Sequence, residues 1–275
     1  MTNHPLQKID FDQLLKLCIR AAFDAGNEIL HFYNTGFDIE TKSDNSPLTN
    51  ADKAAHNVIA KALEKTNIPV LSEEGDILPY EIRKDFEYLW IVDPLDGTKE
   101  FIKHNDEFTV NIALVHYQKP ILGVVYCPPL KSMYFAANNG KGAFKSILEN
   151  YDKIDVENVI SHAEKIPFAN RDRKFTVVAS RSHMNSETAG FIENLKKEHG
   201  DIELISKGSS LKLCEIAEGS ADIYPRFAPT SEWDTAASHA LVEISGGKVV
   251  DAKTNLPLQY NKEDILNPWF IVGRR

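Results

Sequence analysis

Tyr88–Leu89–Trp90–Ile91–Val92–Asp93–Pro94–Leu95–Asp96–Gly97–Thr98–Lys99–Glu100–Phe101 is an apolar run that stops abruptly in two carboxylates, a glycine and a hydroxyl. Residues 88–92 predict a buried strand, and Pro94 with Asp96–Gly97 predicts a turn directly after it. Carboxylates at the exit of a buried strand are costly unless something positive meets them. Two of them close in sequence, beside Thr98 and a glycine that lets backbone approach closely, suit a hard cation that holds a phosphate. The plainer alternative is a turn in which Asp93 only hydrogen-bonds the backbone ahead of it. The rest of the chain weighs against that alternative.

A chain of 275 residues suffices for one large domain or two modest ones. Its 43% apolar and 26% charged residues are ordinary for a soluble globular protein. The net charge of −9, from 40 acidic against 31 basic residues, argues against a nucleic-acid polymer as partner. The same charge repels a small phosphorylated substrate unless bound cations reverse its sign locally. No apolar stretch reaches the roughly 18 residues of a membrane span, and Met1–Pro5 lacks the apolar core of a secretion signal. Cys18, Cys127 and Cys214 are far apart and unpaired in spacing, so a cytoplasmic protein with reduced thiols is expected. Peripheral association with the inner membrane is compatible with the sequence, although nothing basic or amphipathic calls for it.

Outward from the central motif, residues 9–33 and 50–65 carry apolar side chains at helical period. Phe108–His116, Ile121–Tyr126 and Lys131–Ala137 are rich in β-formers, and Asn138–Asn139–Gly140 is a hairpin signal. Residues 147–172 turn polar and aperiodic, a boundary between an α+β lobe over 1–150 and an α/β lobe over 151–275. In the second lobe, strands are expected at Phe175–Ala179, Ile202–Ile205 and Lys248–Val250, and helices at Ser186–His199, 209–217 and 232–244.

Four acidic sites stand where local structure aims them: Glu73–Glu74 after a short apolar run, the Asp93/Asp96 pair, Asp52 and Asp234. Thr49–Asn50–Ala51–Asp52 and Ser231–Glu232–Trp233–Asp234 also fit the N-terminal capping box, in which the acid reaches back to a backbone N–H. Taken singly, each favours capping over metal binding; spacing alone does not bring them together. A phosphate-cradling G-x-x-x-x-G-K-[ST] loop, a G-x-S-x-G elbow and an H-E-x-x-H pair are all missing from the sequence. The nine His residues show no zinc-ligand spacing. A D-x-D-x-T aspartyl-phosphatase motif is excluded too, because Asp93-x-x-Asp96 is one residue too wide.

Asp93–Pro94–Leu95–Asp96–Gly97–Thr98, with Ser72–Glu73–Glu74 before it and Trp233–Asp234–Thr235–Ala236–Ala237 after it, resembles the signature set of the inositol monophosphatase superfamily. The resemblance runs nearly end to end, from Ser46–Pro47–Leu48–Thr49–Asn50–Ala51–Asp52 to Gly246–Gly247. Lys99–Glu100–Phe101–Ile102, Gly208–Ser209–Ser210–Leu211–Lys212 and Tyr224–Pro225–Arg226–Phe227 are similar to its bacterial CysQ-type 3'(2'),5'-bisphosphate nucleotidase branch. It implies a layered α-β-α-β-α sugar-phosphatase fold and lithium-sensitive, Mg²⁺-dependent hydrolysis. The implied substrate is adenosine 3',5'-bisphosphate or its 5'-phosphosulfate analogue, in sulfur assimilation.

Carried over by position, the resemblance makes Glu73, Asp93, Asp96, the Leu95 carbonyl and Asp234 ligands of two or three Mg²⁺ ions. It makes Thr98 the water-orienting residue, Asp52 its partner acid, and Glu74 the residue that orients a metal-bound water. Glu73, Leu95, Asp96, Gly97, Thr98 and Asp234 would meet the scissile phosphate; Ser209 and Arg226, with Lys207 and Lys212, are candidates for the ribose and second phosphate. Arg181–Ser182–His183 is a further candidate. Ser238 departs from the glycine common in relatives, which would adjust packing rather than chemistry. A sugar phosphatase with the same metal core and a non-catalytic metal- or nucleotide-binding protein are the rival readings. Either a monomer or a homodimer is compatible with the sequence.

Overall fold

The computed structural model describes residues 9–42, 46–149, 153–168, 173–179 and 185–274. Arg181–Ser182–His183 lies outside the described residues. The chain begins with helix α1 (Phe11–Thr35), a two-stranded ribbon of β1 (Ile39–Thr41) and β2 (Pro47–Thr49), and helix α2 (Asn50–Leu63). Next come β3 (Val70–Ser72), α3 (Tyr80–Arg83), β4 (Tyr88–Asp96) and the short α4 (Thr98–Ile102). A meander follows, of β5 (Thr109–His116), β6 (Lys119–Cys127), β7 (Ser132–Ala137) and β8 (Gly142–Ile147), then α5 (Val156–Ser161) and β9 (Glu164–Ile166). The remainder is β10 (Thr176–Ala179), α6 (Ser186–His199), β11 (Glu203–Ser206), α7 (Leu211–Glu218), β12 (Ile223–Arg226), α8 (Ala236–Ile244), β13 (Gly247–Asp251) and β14 (Phe270–Arg274).

Strands β3 to β9 pair in sequence order into a seven-stranded sheet, antiparallel except for the parallel β3–β4 pair. The second sheet has the order β11-β10-β12-β14-β13, with β10 parallel to β11 and β12. Strand alternation divides the first sheet between two cores. Val110, Ile112 and Leu114 pack with α1 and α2, whereas Ala113 and Val115 pack with α7 and α8. Val249, Phe270 and Val272 of the second sheet close that inner core, and Ile192 and Leu195 of α6 cover the sheet's other face at Val177 and Ala179. The layers therefore run α-β-α-β-α, as the resemblance implies.

Residues 147–172, polar and aperiodic in sequence, contain α5 and β9, and β9 extends the first sheet at β8. They are short and mostly exposed, so no apolar period betrays them. The expected helix over 232–244 begins only at Ala236, preceded by a turn that carries Asp234. The two sheets are held close by α8, because a Cβ added to Gly123 in β6 would stand 2.1 Å from the Ala237 carbonyl oxygen. Gly123→Ala is expected to cost about 3 kcal/mol, measured as a drop in the denaturant midpoint. An unchanged midpoint would show that α8 is free to shift.

Candidate active site

Local structure brings the carboxylates together from three directions. Glu73 directly follows β3, and its N–H donates to the Val92 carbonyl, so the parallel pairing sets it beside Asp93. Three steps along β4, from Asp93 to Asp96, oppose only two steps from Asn111 to Thr109 on β5. The extra residue is a β-bulge. In a regular strand residues three apart face opposite sides; the bulge turns Asp93 and Asp96 into one cleft, which both line. Gly97 then adopts φ +93°, where a side chain would be strained, and starts α4 with Thr98 as its first residue.

Glu73, Asp93 and Asp234 present carboxylate oxygens within 4.8 Å of one another. Asp93 is 1% exposed; its Oδ1 accepts the Leu95 N–H at 3.0 Å, while its Oδ2 is buried with no hydrogen-bond partner. Burial, then Glu73, Asp96 and Asp234, push the Asp93 pKa well above the usual carboxylate range. Burial, with Asp96 and Glu73, pushes Asp234 up to about 8. An orphaned buried oxygen among mutually repelling carboxylates fits a hard divalent cation.

The other expected residues fall around this cluster. Asp96 Oδ2 accepts from Ser209 Oγ at 2.6 Å, Ser210 Oγ at 2.9 Å and Asn111 Nδ2 at 3.3 Å. The Ser209 hydroxyl, expected at the substrate, is thus engaged with a carboxylate. Thr98 Oγ1 lies 3.2 Å from Asp52 Oδ1 and 3.3 Å from the Leu95 carbonyl. Asp52 Oδ2 accepts both the N–H and the hydroxyl of Thr49, at 2.7 and 2.5 Å. Capping and site contact are therefore not alternatives for Asp52: one oxygen does each. Asp234 is similar, since its Oδ2 accepts the Ser231 N–H at 2.9 Å, although in a turn ahead of the helix.

Sequence reasoning missed Lys42, Asn111, Ser210 and Glu232. Lys42 Nζ bridges Glu73 Oε1 at 2.8 Å and Glu74 Oε1 at 2.5 Å. Burial opposes its charge, but the two glutamates outweigh burial and hold its pKa above the ordinary range. Asn111 left a signal, a polar residue inside the β-forming run Phe108–His116. Lys42 left none, because only tertiary structure sets the β1–β2 ribbon against Glu73.

The cleft opens into a side chamber, the two sharing Asp96, Gly97, Glu100, Thr230 and Asp234. Lys207, Lys212, Tyr224 and Arg226 line the chamber. Lys212 is buried, donates to the Ser209 carbonyl at 2.6 Å, and is pushed by that burial down to about 8. Arg226 Nη2 donates to the Pro229 carbonyl, and its Nε is buried without a partner.

A carboxylate cage fused to a cationic chamber, inside this layered fold, defines a phosphoester site, and residues 10–272 match the profile of the inositol monophosphatase family. The chain belongs to that family. Over 267 residues it is 45% identical to the 3'(2'),5'-bisphosphate nucleotidase CysQ of Escherichia coli K12, covering 95% of this chain and 98% of the relative. It is 32% identical to CysQ of Haemophilus influenzae over 95% of this chain and 93% of the relative. Among solved structures, CysQ from Bacteroides thetaiotaomicron superposes with a TM-score of 0.86 at 50% identity, covering 97% of this chain and 99% of that one.

The raised carboxylates have a consequence for stability. Unfolded aspartates ionise near pH ~4, whereas folded Asp93 and Asp234 keep their protons to higher pH. Above about pH 4 the folded state then binds more protons than the unfolded one, so stability falls as pH rises. The metal-free protein is expected to lose melting temperature from about pH 4 to about 8, the value reached by Asp234. His56, whose pKa burial lowers, opposes this only below about pH 6.5. Saturating Mg²⁺ should flatten the slope. Thermal unfolding across this range in chelator and in Mg²⁺ checks it; rising stability in chelator would contradict the assignment.

Proposed function

We propose that this protein hydrolyses the 3'-phosphate of adenosine 3',5'-bisphosphate, releasing AMP and inorganic phosphate. The observation that carries this reading is the junction of a carboxylate cage with a second, cationic chamber. A monophosphate needs only the first; a bisphosphate uses both. Relatives named 3'(2'),5'-bisphosphate nucleotidase, at 45% identity over nearly the whole chain, support it.

Glu73, Asp93, Asp96, Asp234 and the Leu95 carbonyl hold Mg²⁺, as two ions or three. When bound, Mg²⁺ supplies the positive charge this acidic cleft lacks, acidifies water and stabilises the departing 3'-oxygen. The protein's own part is positioning and proton transfer. Thr98 Oγ1 orients the attacking water and passes its proton to Asp52 Oδ1, the oxygen left over from the cap. Burial raises the Asp52 pKa, which makes it a better base than a solvated aspartate. The water oxygen bonds to phosphorus as the ester bond to the 3'-oxygen breaks, and that oxygen takes a proton from solvent to leave as the 3'-hydroxyl of AMP. Backbone N–H groups of Gly97 and Thr98 grip the phosphate, and Glu74, held by Lys42, orients a water. Lys207, Lys212, Ser209 and Arg226 face the ribose and 5'-phosphate.

The test is phosphate release from adenosine 3',5'-bisphosphate and from inositol 1-phosphate, side by side, in Mg²⁺ and in Mg²⁺ plus Li⁺. Nucleotide-selective turnover suppressed by Li⁺ is expected. Preference for the inositol ester would replace this reading with a sugar phosphatase, and no turnover on either would leave a binding protein.

A further inference from the structure

Glu232 is a carboxylate at 0% exposure, two residues before Asp234, and it plays no part in the cleft. Its Oε2 accepts the Asn261 N–H at 2.6 Å; its Oε1 accepts the Lys262 N–H at 2.9 Å and Lys262 Nζ at 2.5 Å. The segment it meets, residues 258–267, runs outside helices and named strands and is tied down at several further points. Asn267 Nδ2 lies within reach of the Ser231 carbonyl at 2.7 Å, Thr235 Oγ1 at 3.0 Å and Thr230 Oγ1 at 3.2 Å. Tyr260 OH donates to Thr235 Oγ1 at 3.2 Å and lies 2.8 Å from His239 Nδ1. Backbone bonds add Glu232 N–H to Ile265 O and Asn267 N–H to Thr230 O. Every residue from 230 to 235 except Trp233 and Asp234 is fastened to this segment.

We infer that Glu232 and the 258–267 segment are a positioning clasp for Asp234, which sets the affinity of the site for its divalent cation. The inference rests on Asp234 as a ligand, as proposed above. Glu73 and Asp93 sit on paired strands that hold each other. Asp234 stands on the turn between β12 and α8, outside those strands, and the carboxylates already present repel it. Without backing, the turn relieves that repulsion by sliding outward, and the cage opens. The clasp meets that cost during folding rather than during ion binding. Glutamate suits the post because three donors converge on two acceptor oxygens. A glutamine offers one acceptor oxygen and turns an NH₂ group toward a donor.

The clasp is tested by calorimetric titration of Mg²⁺ into metal-free protein without substrate. Glu232→Gln should weaken Mg²⁺ binding by about tenfold or more. Lys262→Met, which removes only the partly exposed ammonium, should weaken it by roughly threefold and serves if the first variant fails to fold. Glu218→Gln is the control: Glu218 is also buried, held by Tyr134 and Lys145, and lines neither the cleft nor its side chamber. It should lose melting temperature but bind Mg²⁺ like the parent. In turnover, Glu232→Gln should regain kcat at saturating Mg²⁺ with an unchanged KM for the nucleotide. Parental Mg²⁺ affinity in both clasp variants would overturn the inference, as would an equal loss in Glu218→Gln. A parent protein that binds no Mg²⁺ would remove Asp234 as a ligand and the clasp's role with it. Turnover of inositol phosphate alone would sink the nucleotidase reading and leave the clasp intact.

Discussion

Asp93→Asn is expected to abolish turnover and, in the metal-free protein, to raise the melting temperature. Asp93 is buried, with one oxygen unpartnered and its charge opposed by Glu73, Asp96 and Asp234. Replacing it removes a carboxylate that folding must either protonate or bury charged among like charges. The new amide oxygen still accepts the Leu95 N–H, and the new NH₂ group faces carboxylates able to accept from it. Relief of about 2 kcal/mol corresponds to roughly 5 °C for a chain of this size. The loss in catalysis should be far larger, about 5 kcal/mol of transition-state stabilisation or nearly four orders of magnitude. Thermal unfolding in chelator and steady-state turnover in Mg²⁺ measure the two halves. Lower stability without metal would mean that Asp93 is held by something other than the ion.

Thr98→Val and Asp52→Asn should each lower kcat by about 10²–10⁴, with Mg²⁺ affinity unchanged. The two side chains act through one hydrogen bond of 3.2 Å, so their effects should not multiply. The double variant should fall within about tenfold of the weaker single variant. Independent, multiplicative losses would break the proposed relay. Thr98→Val is the cleaner probe, because Asp52 also caps α2 and its replacement should cost about 1 kcal/mol of stability. A fall in kcat without a matching fall in melting temperature separates chemistry from capping.

Much of this site is legible from local sequence because its ligands sit at ends of elements. A buried strand ending in Asp93–Pro94–Leu95–Asp96–Gly97 announces itself through the break in its apolar pattern. The bulge that turns Asp93 and Asp96 to one side does not, since it is defined against β5. For Asp52 and Asp234, capping and the cleft look like competing explanations in one dimension. In three, the two oxygens of Asp52 serve both, whereas Asp234 uses one oxygen to close a turn ahead of the helix rather than to cap it. Ser209 lines the side chamber while its hydroxyl donates to Asp96, a contact that no local pattern announces.

By itself the sequence determined most helices and strands of the core (though not β12 and β14), the acidic charge that calls for cations, and the ends of elements where carboxylates stand. Those follow from periodicity, composition and turn chemistry, all properties of near neighbours in the chain. Only the tertiary structure decided that Glu73, Asp93 and Asp234 converge within 4.8 Å, that Lys42 bridges two glutamates, and that Glu232 clasps the 258–267 segment. Each joins residues many positions apart, and the carboxylate cluster in particular, whose members repel one another, needs the packing around it to hold together. Local pattern encodes where a charge stands along the chain; the folded layers decide what it faces.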